Sequence, residues 1–464
     1  MRRRGTLAAL AVGIALATIN GSHPASADIR ARPAYDFVNS FGVCAQLGRR
    51  NTIYGTSFDN LKDGLSELGI RHLRTMPSNK YTIDKVAELN SDLGMRLDAV
   101  VDNVPGADFA TRELDAAAVP AYIEAVVSKL GPDAIDSFEG PNEYNWTDKT
   151  GGNSNWAQDL RSYMTTVNQV VNGNSATRGI PIASPSLAEN STELFQQLGN
   201  LSAVTNLGNM HAYTGERPMG AVITDMIRLA GIVNPGQPVI FSEFGWQTAM
   251  NKWQSHPFTE RARAKYLARA LASIFEHDVK RAYIFQLADH GDDPGNANPQ
   301  LHFGLIGNDL TRKPSFYAVR NMMQILCDDD AELSTRTLKA SLSGGANVQS
   351  FLLQKRSGVF DLVLWQEVAS YEQPKLTNAL RAREWNAPNV PVTLTFDEKI
   401  ASARTYLPSA LDGDADGGRK PKSVHDAPTS LSLDVPDEVM IVEIVPAGVT
   451  APDAPSSCTF TPRR

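Results

Sequence analysis

Between residues 37 and 326, short apolar segments alternate with helical patterns eight times, and few folds accept that alternation. The segments read as strands are 42–46, 72–75, 97–102, 135–139, 181–184, 209–212, 239–243 and 282–287. Their starts lie roughly 25 to 45 residues apart, which leaves room for a crossover helix in every gap. The helices are visible between them. Leu61, Leu65 and Leu68 repeat at i, i+4, i+7 before Gly69, and Tyr122, Val126 and Leu130 do so before Gly131. Trp156, Leu160, Tyr163, Val167 and Val170 form a longer stripe, and Thr259 is placed to cap a helix opening at Glu260. Eight strands with interleaved helices over about 290 residues predict an α/β fold, a (β/α)8 TIM barrel. The competing doubly wound open sheet usually carries a Gly-rich first turn, and none follows 42–46.

Past residue 330 the texture changes. Segments 348–354, 359–365, 390–395, 401–406, 431–435 and 440–445 are short, rich in β-branched or alternating residues, and separated by turns. They predict a C-terminal all-β, sandwich-like domain over 331–446, after a barrel over 28–330, with a tail over 447–464. The first 27 residues have the layout of an export signal. Arg2, Arg3 and Arg4 precede a short apolar run, and Ala25-Ser26-Ala27 supplies small residues for cleavage. A secreted, extracellular chain starting near Asp28 is expected, with no membrane span and acting as a monomer.

The net charge of −7 argues against nucleic acid as the main partner. Three cysteines form no disulfide framework. Cys44, within FGVCAQL, reads as a buried thiol; Cys327 and Cys458 could pair and pin the tail to the domain junction. No Cys-x-x-Cys or His-x-x-x-His spacing occurs, so neither a metal nor another cofactor is expected. LDGDADGG (411–418) opens like a calcium loop, but its twelfth position would be Ser423 where a bidentate Glu is needed, so a hairpin loop is the better reading. No Gly-x-Ser-x-Gly elbow is present.

Barrels place reactive groups at the C-terminal ends of their strands. Glu143, in FEGPNEYN, lies just beyond the fourth strand, and Glu243, in VIFSEFGW, ends the seventh. Barrel closure would bring both to one mouth. Two facing carboxylates are what glycoside hydrolysis requires, one to hand over a proton and one to attack the anomeric carbon. Glu139 sits nearer the strand body and suits a supporting role. Arg74, Asn103, His211, Tyr213, Trp246, Gln286 and Asp289 also fall at strand ends, and together offer the donors, acceptors and aromatic faces that a sugar needs. Trp146, Trp156 and Trp253 are candidates for an extended groove. A non-catalytic glycan-binding barrel is the alternative reading.

On GPNEYN and FSEFGW the chain resembles the retaining glycoside hydrolases of clan A, whose pattern is Asn-Glu after strand four and Glu at the end of strand seven. Within the clan it is most similar to family 39 and its neighbours, which join a barrel to a β-sandwich, and the resemblance covers roughly 37–445. It implies hydrolysis of O-glycosidic bonds in a poly- or oligosaccharide, through a covalent glycosyl-enzyme. Glu143 would be the acid/base and Glu243 the nucleophile. Asn142 would bind the hydroxyl beside the anomeric carbon, and Arg74 would keep the nucleophile ionised. His211 and Tyr213 match a His-x-Tyr of strand six whose tyrosine contacts the nucleophile. Two departures stand out: Tyr144 replaces the usual proline, and RAYIFQLAD offers Gln286 where the clan commonly has a strand-eight tryptophan.

Overall fold

The computed structural model describes residues 28–102, 114–146, 152–252, 256–328, 333–372, 383–411, 413–450 and 458. The export-signal segment, Asn103, Trp253, Asp412 and most of the tail lie outside these residues.

Eight parallel strands form the barrel: Phe41–Cys44, His72–Thr75, Arg96–Val100, Ile135–Glu139, Ile182–Ala183, Gly208–Ala212, Val239–Phe244 and Arg281–Ile284. Each is followed by a helix, in turn Phe58–Leu68, Lys80–Leu93, Val119–Leu130, Trp156–Gly173, Thr192–Leu198, Ile223–Val233, Glu260–Glu276 and Pro314–Ile325. Helices outside and packed side chains inside bury the strands on both faces, so FGVC, IDSFE and VIFSEF are buried throughout. The fifth strand is only two residues long, and the ring closes there through the Ala183–Leu207 bridge and the Ser184 N–H donating to the Leu207 carbonyl at 2.9 Å. Gly69 ends its helix at φ +71°, a left-handed conformation that glycine adopts without a Cβ penalty. Thr259 caps the seventh helix by accepting from the Ala262 N–H. No helix among the described residues is long and apolar enough to cross a membrane.

The C-terminal domain is two stacked sheets. One is seven-stranded and includes Val348–Gln354, Phe360–Gln366, Ile400–Tyr406 and Met440–Pro446; the other has three strands, Ala340–Gly344, Val390–Phe396 and Ser430–Val435. Ile29–Pro33, which the sequence places with the barrel, instead belongs to the larger sheet. It pairs in parallel with Val348–Gln354 and antiparallel with Thr337–Leu338. A strand this short and polar carries too weak an alternation to announce its partner from 300 residues away. The larger sheet is buried on both faces. Leu352, Leu362 and Leu364 point into the sandwich, while Phe351, Val363 and Trp365 join the barrel's core. Phe351 lies 5.1 Å from Phe275 and 6.0 Å from Phe37, centroid to centroid.

The Glu260–Glu276 helix is therefore wedged between barrel and sandwich, and Arg263, Lys265 and Arg269 are buried with it, while Arg261 stays exposed. Arg263 donates to the Gly304 and Phe303 carbonyls, Lys265 pairs with Asp437 at 2.9 Å, and Arg269 donates to the Gln366 and Val368 carbonyls at 3.2 and 2.6 Å. Cys327 is disulfide-bonded to Cys458, tying the chain end to the close of the last barrel helix. In the acidic 411–418 loop, Asp416 pairs with Arg320 and Arg419, and Asp414 with Lys420, so these acids dock the loop by ion pairs.

Arg269 is 2% exposed, and its removal would strand two buried carbonyls. Arg269→Met is expected to cost about 2–4 kcal/mol in denaturant unfolding, the range for losing charged hydrogen bonds in a buried setting. A loss under about 1 kcal/mol would show that the interface does not depend on this residue.

Candidate active site

The fourth strand ends at Glu139, and the chain turns through Gly140-Pro141 to present Asn142 and Glu143. This turn is held against the segment after the fifth strand. Asn142 bridges Ser186, the Glu143 N–H donates to the Ser186 carbonyl at 3.1 Å, and the Ala188 N–H donates to Asn145 Oδ1 at 3.0 Å. Glu143 has φ +48°, a strained conformation for a side-chain-bearing residue and one that the flanking contacts hold in place. Tyr144, standing where the resembling family has proline, is 5% exposed and packs into the barrel core, so it anchors the turn from beneath.

Arg74 organises the floor. Its guanidinium donates to Glu139 through Nε at 2.6 Å and Nη2 at 2.9 Å, to Glu243 Oε1 through Nη1 at 2.7 Å, and to Asn142 Oδ1 through Nη2 at 2.7 Å. Glu139 is fully buried, and its Oε1 also accepts from Asn209 Nδ2 at 2.9 Å and Ser242 Oγ at 3.0 Å. Burial opposes its ionisation, but the Arg74 charge and hydrogen bonds outweigh burial and hold the carboxyl below its ordinary value. Beneath it, burial and then repulsion from Glu139 push Asp98 well above the carboxylate range, so Asp98 is neutral. With its lone pairs committed, Glu139 positions Arg74 and cannot take part in bond making.

Glu243 is gripped at both oxygens, by Arg74 at Oε1 and by the Tyr213 hydroxyl at Oε2, 2.6 Å away. Burial, then the Glu243 charge, push the Tyr213 phenol far up, so it stays a donor. Because Arg74 is already engaged by Glu139, it only part-neutralises Glu243. His211 sits between the two candidate carboxylates, with Nδ1 2.7 Å from Glu143 Oε1 and 3.5 Å from Glu243 Oε2. Its Nε2 faces Arg74 Nη2 at 3.5 Å, which assigns the ring hydrogen to Nδ1. Among the described residues, Glu143, His211 and Glu243 alone bring three potential metal-ligand atoms together, all within 4.8 Å.

These groups open into a cavity of about 750 Å³, also lined by Gln46, Arg49, Asn79, Trp146, Phe285 and Phe303. Phe285 and Phe303 flank Tyr213, at 6.4 and 5.8 Å between centroids, and form its aromatic wall.

Of the residues anticipated from sequence, Arg74, Asn142, Glu143, His211, Tyr213 and Glu243 converge here. Four others do not. Trp246 is 3% exposed; its Nε1 donates to the Gly215 carbonyl and its ring packs on Phe258 and Tyr266, toward the sandwich. Gln286 is fully buried behind the wall, donating to the Gln300 carbonyl at 3.3 Å, and its neighbour Phe285 faces the cavity instead. Asp289 pairs with Lys313 at 2.7 Å, outside the cavity. Trp156 is buried in the core. Asn209, Ser242 and Asp98 were missed, although each is a polar residue inside an apolar strand, which is itself a signal.

No protein-family model matches the chain, and no curated protein does. Solved structures do match. The GH39 enzyme from Xanthomonas axonopodis pv. citri aligns at TM-score 0.58 and 14% identity, over 92% of this chain and 99% of that one. A GH39 β-xylosidase from Caulobacter crescentus aligns at 0.54 and 15%, over 90% and 98%. The GH51 arabinofuranosidase from Xanthomonas axonopodis pv. citri aligns at 0.55 and 11%, over 90% and 97%. The chain has the clan A glycoside hydrolase fold, most similar to the family 39 arrangement of barrel and sandwich.

Arg74→Met would leave Glu139 buried without its counter-charge, for an expected loss of about 3–5 kcal/mol at pH 7. The sign with pH follows from the depressed Glu139 value: the stabilisation is complete above the ordinary value of 4.5 and is lost as pH falls through the lower folded value. Urea unfolding of both proteins at pH 7 and pH 4 should show the gap narrowing on acidification; a gap that is constant with pH would contradict the charge argument.

Proposed function

We propose that this chain is a secreted retaining glycoside hydrolase that cleaves O-glycosidic bonds in an oligo- or polysaccharide by double displacement. The observation that carries the reading is the spacing of Glu143 and Glu243, which offer oxygens within 4.8 Å of each other across a cavity. Retaining enzymes hold their carboxyl groups about 5–5.5 Å apart, while inverting ones need about 6.5–9.5 Å to admit a water between them. The glycosidase fold supports the same class, and the export-signal pattern of the first 27 residues supports action outside the cell.

In this mechanism Glu243 attacks the anomeric carbon through one carboxylate oxygen. Arg74 and the Tyr213 hydroxyl, each hydrogen-bonded to one of its oxygens, keep it aimed. Glu143 gives its proton to the leaving oxygen, and the aglycone departs. A water then enters, Glu143 takes its proton, and the resulting nucleophile releases the sugar from Glu243 with its original configuration. Asn142, its amide oxygen fixed by Arg74, is oriented to bind the hydroxyl next to the anomeric centre. His211, lying between the two carboxylates, holds their spacing.

Glu243→Gln should abolish turnover and leave saccharide binding measurable by calorimetry. Glu143→Ala should lose about 10²–10⁴-fold on substrates with poor leaving groups, which need its proton, while on an activated glycoside, whose departure needs none, azide should restore the rate by attacking the glycosyl-enzyme to give a glycosyl azide of retained configuration. Anomeric NMR of the first product should show retention. Near-normal turnover by Glu243→Gln, or an inverted first product, would overturn the proposal. Binding without turnover by the intact chain, across a broad glycan panel, would favour the glycan-binding alternative.

A further inference from the structure

Trp146 is 47% exposed, the one large aromatic side chain among the described residues left so open. It lines the cavity three residues beyond Glu143. The turn between them is rigid. The Trp146 N–H donates to the Glu143 carbonyl at 3.1 Å, Tyr144 is buried beneath, and Asn145 is bound by the Ala188 N–H. Within four residues the chain therefore places a candidate proton donor and, on the same short loop, a half-exposed indole that lines the cavity.

Position along the bond to be broken follows from this coupling. The glycone must sit over Glu243, among Arg74, Asn142, Tyr213 and Phe285. A proton from Glu143 goes to the oxygen joining glycone to leaving group. Whatever lies beyond that oxygen lies on the Glu143 side of the cavity, which Trp146 also lines. Exposed indole is costly in water and is recovered when an apolar face covers it; the C–H face of a sugar ring is such a surface.

Resting on the glycosidase reading, we propose that Trp146 forms a leaving-group subsite that stacks a sugar ring, so that the preferred substrate carries a saccharide, not a small aglycone, on the reducing side of the scissile bond. The same platform then receives a sugar acceptor once the leaving group has gone. Trp146 acts on the first displacement and on acceptor capture, and has no part in hydrolysis of the glycosyl-enzyme by water.

The test uses the full chain and two substrate types. One is whichever 2,4-dinitrophenyl glycoside wild type turns over, from a panel of mono- and disaccharide glycones of hexoses, pentoses and uronic acids. The other is the saccharide with the same glycone and a sugar leaving group. Trp146→Ala should lower kcat/KM on the saccharide about 10- to 100-fold, as for loss of an anchoring aromatic. Its kcat on the dinitrophenyl glycoside, limited by the second displacement, should stay unchanged. Trp146→Phe should restore most of the loss, and the sugar-transfer products that wild type forms with added saccharide should disappear in Trp146→Ala. Equal losses on both substrates, or none on the saccharide, would overturn the subsite alone. A wild-type chain that cleaves no glycoside in either set would overturn the glycosidase reading and this inference with it.

Discussion

One buried guanidinium holds the active end of this barrel together. Arg74 rises from the second strand and reaches the fourth through Glu139, the turn beyond it through Asn142, and the seventh through Glu243. In water such contacts would each be worth little. At a strand end sealed from solvent they are strong, and removing one member would leave an uncompensated charge. The stoichiometry matters as much as the strength. One cation faces two carboxylates, with Asp98 below kept neutral, so the cluster carries net negative charge. Arg74 therefore orients Glu243 without fully neutralising it.

The cluster needs a rigid frame, and the frame extends past the barrel. The seventh strand brings Glu243, and the helix after it is clamped by the sandwich through Lys265 and Arg269. The larger sheet gives one face to the sandwich and the other to the barrel core, with Phe351 and Trp365 among the aromatic rings of the joint. The C-terminal domain thus completes the barrel's packing on the side from which Glu243 is delivered, and the amino-terminal strand Ile29–Pro33 stitches the two ends of the chain into one sheet.

Much of this was legible in the linear chain. Parallel strands buried on both faces read as short apolar runs, so their number and spacing survive in the sequence, with errors of one to three residues at the ends. Glu143 and Glu243 stood out because acids beside apolar runs are costly unless used. The errors have physical causes as well. Phe285, not Gln286, faces the cavity, because both lie beyond Ile284, the last residue of the strand, where strand alternation no longer tells which side a residue faces. Trp246 looked like a sugar platform from its place after the seventh strand, yet Phe258 and Tyr266 pack on it and bury it. Arg263, Lys265 and Arg269 gave no sign of burial, because nothing local tells a solvated arginine from one that will meet backbone carbonyls of a distant strand.

By itself, then, the sequence determined the order of elements, the barrel with its β appendage, and the two glutamates worth attention, since periodicity and the cost of burying charge are local properties. The tertiary structure alone decided which groups meet. That Glu139 is saturated while Glu143 faces a cavity, that His211 touches both carboxylates, and that Tyr144 turns inward while Trp146 turns outward all depend on residues from five different strands and their following loops. Those contacts arise only when the barrel closes, because ring closure, not sequence proximity, sets the distances between strand ends.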